Sequence, residues 1–258
     1  MAYSKYTNFA ALCQLNFVYF CLIFTVSFAF CPCQTAFFQC IVKVSALHID
    51  DYIQGKPLTY MKHTPELIVM LTHNDVTVPD AAAVFARCQH THARYWGFKE
   101  EGLPFAEMQA LFAQMKACGK TTCLEVIAYT EPECLHGAEM AAACGCDILM
   151  GTVYSDAVHA YCRAHGLRYM PFVGQISGRP SILHGTPTGM ICEAEGYLAK
   201  GVDGIDLLGY RYTGDAAALN RAFIAAVHAP ICLAGSVNSF ARLDEIKAAG
   251  AAYFTIGS

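Results

Sequence analysis

The chain has 258 residues, of which 55% are hydrophobic and only 15% charged, and its formal charge is −4. A disordered chain would be charge-rich and poor in aromatics, so that class is excluded. There is also no basic excess with which to release counterions from a phosphate backbone, and no nucleic-acid partner is expected.

Residues 6–42 contain no Asp, Glu, Lys or Arg, and residues 12–30 are almost continuously apolar. About 20 such residues suffice to cross a bilayer as a helix. Three readings of the apolar extension, residues 1–60, compete. One is a membrane anchor, and another is a secretory signal with Ser27-Phe28-Ala29 as a small-x-small cleavage site. The third is a stretch upstream of a natural start near Met61. Lys5 is the only positive charge before the apolar run, which weighs against a signal. The barrel described next is expected over residues 61–258, cytoplasmic by itself and membrane-anchored only if residues 6–42 are a true anchor. None of the 14 cysteines forms a C-x-x-C pair, and scattered cysteines in so apolar a chain read as small core residues in a reducing compartment.

From Glu66 onward, short apolar runs alternate with amphipathic stretches. The runs span residues 67–75, 94–102, 121–130, 146–154, 167–174, 202–211, 229–236 and 251–258. Their spacing is about 27 residues, the size of a strand–helix unit. Between the first two, Pro79 and Asp80 open a predicted helix, where a missing N–H and a negative charge are both tolerated. The next stretch puts Phe105, Met108, Leu111, Phe112 and Met115 on one face and ends at Gly119. Gly145, Gly166, Gly201 and Gly250 precede later strands in the same way. Near-continuous apolar strands between amphipathic helices imply a parallel sheet covered by helices. Eight units predict a closed α/β barrel, the (β/α)8 TIM-barrel class. The sequence stops at Ser258, at the end of the eighth strand, so the barrel is expected to lack its last helix.

In such barrels function gathers at the C-terminal ends of the strands. Those ends supply Asn74 and Asp75, Lys99, Glu125, Asp206 with Arg211, Gly235 with Ser236, and Gly257 with Ser258. Two Gly-Ser tips on the last two strands are the most specific signal. Glycine lets backbone N–H groups approach a phosphate closely, and serine adds a hydroxyl donor. Lys99 and Glu125 sit on adjacent predicted strands, about 4.8 Å apart, and meet if both face inward. They read either as a catalytic pair, with Lys99 forming a Schiff base or shuttling protons, or as an ion pair that closes the barrel. Asp206 alternates with Ile205 and Leu207, and an interior carboxylate must be paired or used. Arg211 either clamps an anionic substrate, with Asn74 and Asp75 as further substrate contacts, or pairs with Asp206 or Asp215.

Weaker patterns carry less. Cys88, His90 and His92 are spaced by two near a predicted helix end, which does not share a helix face, and no metal site is predicted. Residues 174–186 lack the Gly-Lys-Ser/Thr ending of a P-loop and read as a lid. No G-x-G-x-x-G follows a predicted strand, so no cofactor is expected from the motifs.

Residues 67–258 resemble a group of small aldolase-type, phosphate-binding barrels. The resemblance is carried by MLTHNDVTVPDA, GFKEEGLPF, LEVIAYT, GIDLLGYRYTGD, LAGSVNS and FTIGS. Members are often labelled 4-hydroxythreonine-4-phosphate dehydrogenase, a label that implies NAD and vitamin B6 synthesis. Both label and barrel imply a phosphorylated small metabolite as the partner. The expected function is lyase, isomerase or epimerase chemistry through Lys99, Glu125 and Asp206, with Gly235, Ser236, Gly257 and Ser258 on the phosphate. The alternatives are the NAD-dependent dehydrogenase and a non-catalytic metabolite sensor similar to glycerol-3-phosphate-responsive antiterminators. Acidic residues outnumber basic ones from Met61 onward, which weighs against gripping RNA. Oligomeric state is not legible in the sequence.

Overall fold

Side-chain alternation along one strand already divides inside from outside. In Tyr95–Lys99, Trp96 packs edge-on against Phe85 with ring centroids 5.1 Å apart, and Phe98 stacks on Phe112 at 4.2 Å. Both partners belong to helices, so Tyr95, Gly97 and Lys99 point the other way, into the barrel.

The computed structural model describes residues 64–257. Its elements begin with β1 (Glu66–Met70), β2 (Thr72–His73), β3 (Val76–Thr77), α1 (Ala81–Cys88), β4 (Tyr95–Lys99) and α2 (Phe105–Ala117). Next come β5 (Thr121–Val126), α3 (Glu131–Ala143), β6 (Ile148–Gly151), α4 (Asp156–Ala164) and β7 (Arg168–Met170). They continue through β8 (Gln175–Ser177), β9 (Ile182–His184), α5 (Pro187–Lys200) and β10 (Ile205–Leu207). A 3-10 turn (Gly209–Arg211), α6 (Ala216–Ala226), β11 (Ile231–Leu233), α7 (Phe240–Ala249) and β12 (Tyr253–Ile256) complete them.

Eight strands form one sheet in the order β10-β11-β12-β1-β4-β5-β6-β7, every pair parallel. The two ends meet where Phe172 bridges Asp206, and the Asp206 N–H donates to the Pro171 carbonyl at 3.0 Å. The sheet is thereby a closed (β/α)8 barrel of the expected class. Inward residues Ile68, Met70, Tyr95, Cys123, Ile148, Met150, Met170 and Cys232 fill it as one buried cluster.

Helices cover the outside. On α2, Met108, Leu111, Phe112 and Met115 are buried as the helical spacing predicts. Phe105 departs from that pattern at 47% exposure, because as the first helical residue it lies beyond the barrel wall that buries the later turns. Ser155, Thr186, Asp215 and Ser239 each accept a backbone N–H from the first turn of α4, α5, α6 and α7, which fixes where these helices start.

Gly97 marks a close approach between strands. A Cβ there would lie 2.6 Å from the Cys123 carbonyl oxygen and 3.1 Å from Met70 Sδ. Gly97→Ala is expected to destabilise the barrel by about 1–3 kcal/mol, the range for overpacking a filled core. A urea midpoint unchanged from the native chain would refute this.

The chain departs from the predicted runs in three places. The run 67–75 is not one strand: β1 stops at Met70, and β2 and β3 pair antiparallel around Asn74 and Asp75. Those two residues have φ of 50° and 66°, the left-handed pair a two-residue hairpin requires, and Asn and Asp tolerate it best among non-glycine residues. Residues 174–186 form the β8–β9 hairpin instead of an open loop. After Leu207 the sixth run turns into the 3-10 segment that carries Arg211. The anchor, signal and extension readings of residues 1–60, the start at Met61, and Ser258 lie outside the described residues. Among the described residues, no helix is long and apolar enough to cross a membrane.

Candidate active site

Strand register brings the predicted pair together. Lys99 on β4 pairs with Glu125 on β5, both face inward, and Lys99 Nζ lies 3.8 Å from Glu125 Oε2. Both side chains are buried. A closer partner for the lysine is Asp75, whose Oδ1 is 2.6 Å from Nζ. Asp75 stands on the β2–β3 turn and also accepts both arms of the Arg211 guanidinium, at 2.8 and 3.1 Å. This two-pronged geometry is the strong form of a charge-assisted pair. Burial by itself would raise the Asp75 carboxyl, but the bonds from Arg211 and Lys99 outweigh it and hold the group at about 2.

Arg211 therefore pairs with neither of the partners weighed from the sequence. Asp206 points into the closed barrel, and Asp215 is spent capping α6. Asp206 is fully buried, and neither carboxyl oxygen has a hydrogen-bond partner among the described residues. Burial pushes it well above the carboxylate range, the charge of Glu125 adds to that, and Lys99 opposes it. Glu125 is raised for the same first reason, with Lys99 partly offsetting its burial. An unsatisfied buried carboxyl costs about 1–3 kcal/mol, and such groups collect where a protein needs chemistry.

The last two strand tips lie side by side. Register pairs Leu233 with Phe254, which carries Ser236 alongside Gly257. Gly235 and Ser236 have φ of 86° and 69°, and the backbone N–H groups of Gly235, Ser236 and Val237 form no hydrogen bond among the described residues. Side chains other than hydrogen would not fit here. A Cβ on Gly235 would sit 2.8 Å from Arg211 Cγ, and one on Gly257 would collide with Thr72 Oγ1. Arg211 links the two halves of the site, since its Nε lies 3.4 Å from Ser236 Oγ. Ser236 and Gly257 are exposed, so these tips face outward from the mouth.

Of the predicted residues, Lys99, Glu125, Asp75, Arg211 and Ser236 thus form one chain of contacts. Asp206 joins through its charge coupling, and Gly235 and Gly257 flank Arg211 and Thr72. Asn74 does not join: it is exposed on the turn, and its side chain makes no hydrogen bond among the described residues. Asn74, Asp75, Thr152 and Ser236 are the non-glycine residues with positive φ among those described, and all four lie at C-terminal strand ends. Backbone strain of this kind, about 1–3 kcal/mol per residue, concentrates at functional sites. Cys88 is buried on α1 while His90 and His92 are exposed beyond its end, so these three do not converge.

Residues 174–186, read from the sequence as a lid, carry a latch whose partners the sequence did not show. Arg179 at the tip of the β8–β9 hairpin reaches Glu100 at 2.8 Å, Glu101 at 2.6 Å and the Ile127 carbonyl at 2.9 Å. Tyr129 donates from its hydroxyl to the Gly178 carbonyl at 2.8 Å and lies 2.9 Å from Ser181 Oγ. The hairpin thereby arches over the end of β6 to the tops of β4 and β5. The flanking glycines Gly174 and Gly185 were the available signal, but a latch between residues 79 positions apart leaves no local pattern. A cavity of about 550 Å³ lies behind it, lined by Glu100, Val126, Tyr129, His136 and Arg179 among others. Because Glu100 and Val126 alternate with the inward Lys99 and Glu125, this cavity is outside the barrel wall and is not the mouth.

No model of a known protein family matches the chain, and no curated protein matches it. Solved structures do. The glycerol uptake operon antiterminator regulatory protein of Listeria monocytogenes is 15% identical with a TM-score of 0.51, covering 78% of this chain and 95% of that one. The N-acetylmannosamine-6-phosphate 2-epimerase of Clostridium perfringens is 12% identical with a TM-score of 0.55, covering 77% and 89%. A chain of the tryptophan synthase complex of Pyrococcus furiosus is 13% identical with a TM-score of 0.55, covering 74% and 86%. At these identities the likeness establishes the (β/α)8-barrel fold and nothing finer. The dehydrogenase label carried by the resemblance finds no support in these matches.

Proposed function

We propose that the chain is an enzyme that acts on a phosphorylated small metabolite by lyase, isomerase or epimerase chemistry at the mouth of the barrel. One observation carries this reading: a lysine and two carboxyls, both biased toward their neutral forms, sit together inside the barrel. Reactions of these classes share the removal or return of a proton beside a carbonyl. A neutral carboxylic acid donates a hydrogen bond to the oxygen on which charge develops, and burial keeps it neutral at working pH. Asp206 is placed to do this, while Glu125, whose ionised form the Lys99 ammonium favours, is placed to take the proton removed from the substrate and to return it. Lys99 has two modes open to it, stabilising the developing oxyanion as an ammonium or condensing with the carbonyl, and borohydride trapping separates them. Gly235 and Ser236 would hold the phosphate through free backbone N–H groups and the serine hydroxyl, beside Gly257, leaving the reacting carbons over Lys99. No cofactor is required by this scheme.

Transfer of solvent deuterium into a panel of phosphorylated aldehydes and ketones tests the reading. Incorporation by the native chain is the expected result. Ser236→Asp, which sets a like charge against the phosphate, is expected to weaken phosphate-ester binding by about tenfold or more, the scale of a displaced charge-assisted contact. Absence of exchange across the panel, with Ser236→Asp binding as the native chain does, would overturn the proposal. The antiterminator match leaves a metabolite sensor as the second reading, and it predicts tight binding of a phosphorylated ligand without any turnover.

A further inference from the structure

The clamp on Asp75 has the form of an occupied anion site. Its two cations come from opposite flanks of the mouth, Lys99 from β4 on one side of β1 and Arg211 from beyond β10, three strands away on the other. They converge on one carboxylate with bonds of 2.6, 2.8 and 3.1 Å. The element that delivers this carboxylate is slight. Its ladder pairs only Thr72 with Thr77 and His73 with Val76, and the residues on either side of Asp75 are exposed. The base of the hairpin is held, since the Thr77 N–H donates to the Glu101 carbonyl at 3.0 Å and Thr77 Oγ1 donates to the Lys99 carbonyl at 2.8 Å. At the tip, Asp75 accepts three charge-assisted bonds from Lys99 and Arg211.

Charge balance points the same way. Burial disfavours the charged forms of Glu125 and Asp206, which weakens both as competitors of Asp75 for the two cations. Arg211 also reaches toward the Gly-Ser tip, so an anion held between Lys99 and Arg211 would sit within a few bonds of a phosphate at Ser236.

We propose that Lys99 and Arg211 form a carboxylate subsite, that Asp75 is its resident occupant, and that the carboxylate of the substrate displaces it. On the reading above, on which this rests, the substrate is a phosphorylated carboxylic acid with a short carbon chain. The hairpin tip then acts as a competitor that yields only to a ligand carrying the same group.

Titration calorimetry with three probes tests this on the full chain: malonate for the carboxylate subsite, glycerol 2-phosphate for the phosphate tips, and 2-phosphoglycolate for both. Asp75→Asn keeps the turn and removes the competing charge. It should bind malonate and 2-phosphoglycolate about tenfold more tightly than the native chain, and glycerol 2-phosphate equally well. Adding Arg211→Met should abolish the gain. Malonate binding that is unchanged or weaker in Asp75→Asn would overturn the proposal. The native chain supplies an independent reading: malonate should move the amide NMR signals of residues 73–76, and signals that stay in place would also overturn it. The phosphate reading fails by a different route, through glycerol 2-phosphate binding that is indifferent to Ser236→Asp.

Discussion

Lys99→Met is expected to lower turnover by about 10³-fold, within the range for losing a positioned acid–base group, while leaving the fold in place. Methionine fills the buried stem of the lysine, and Arg211 alone retains both oxygens of Asp75, so the hairpin keeps its anchor. What disappears is the ammonium between Asp75 and Glu125. Glu125 then loses the charge that partly offsets its burial, and its carboxyl rises further. The expected kinetic signature is a fall in kcat larger than the rise in KM from the lost cation of the mouth, with the limb of the pH–rate profile that reports Glu125 moved to higher pH. Binding of glycerol 2-phosphate should be unaltered, because the tips do not depend on Lys99. A variant with native turnover, or one whose loss lies wholly in KM, would remove Lys99 from the chemistry and leave it as an ion pair closing the barrel.

Asp206→Asn separates chemistry from stability in opposite directions. Burial raises the Asp206 carboxyl in the folded chain, so the folded state holds a proton that the unfolded state releases. Stability tied to this group is therefore greatest below the ordinary carboxylate range and declines as pH rises above it. Asparagine is neutral in both states and abolishes that decline. The variant should melt with the native chain near pH 4 and above it at pH 8, by roughly 2–4 °C if the difference is about 1 kcal/mol. Turnover should nevertheless fall by about 10²–10³-fold, since asparagine cannot give up a proton. Equal melting temperatures at pH 8 would show that Asp206 is not held neutral. Unchanged turnover would show that its proton is not used.

These two residues also show how far local sequence reaches. Inward orientation of Lys99, Glu125 and Asp206 was legible because strand alternation is local: Phe98 and Leu207 are apolar neighbours that face the other way. The 3.8 Å meeting of Lys99 with Glu125 followed from adjacency of their strands, itself implied by a regular strand–helix repeat. Asp75 was named from its position at a strand end, yet its role as the shared partner of Lys99 and Arg211 was not. Its partner Arg211 is 136 residues away, and its own turn broke a run that read as continuous strand. Arg179 and Glu100 stayed hidden for the same reason, a contact made only when two loops fold over one mouth.

Sequence by itself determined the eightfold alternation, the closed barrel, the face that carries the candidate site and the residue types available there. Each of these follows from periodicity, strand length and the punctuation of glycine and capping residues, all properties of neighbours in the chain. Tertiary structure alone decided which charges meet. Closure of β7 against β10 brings the 3-10 turn of Arg211 to the hairpin of Asp75, and only burial in that closed barrel moves Glu125 and Asp206 away from ordinary carboxylate behaviour. Charge pairing and desolvation depend on distance through space, and a linear pattern does not encode that distance.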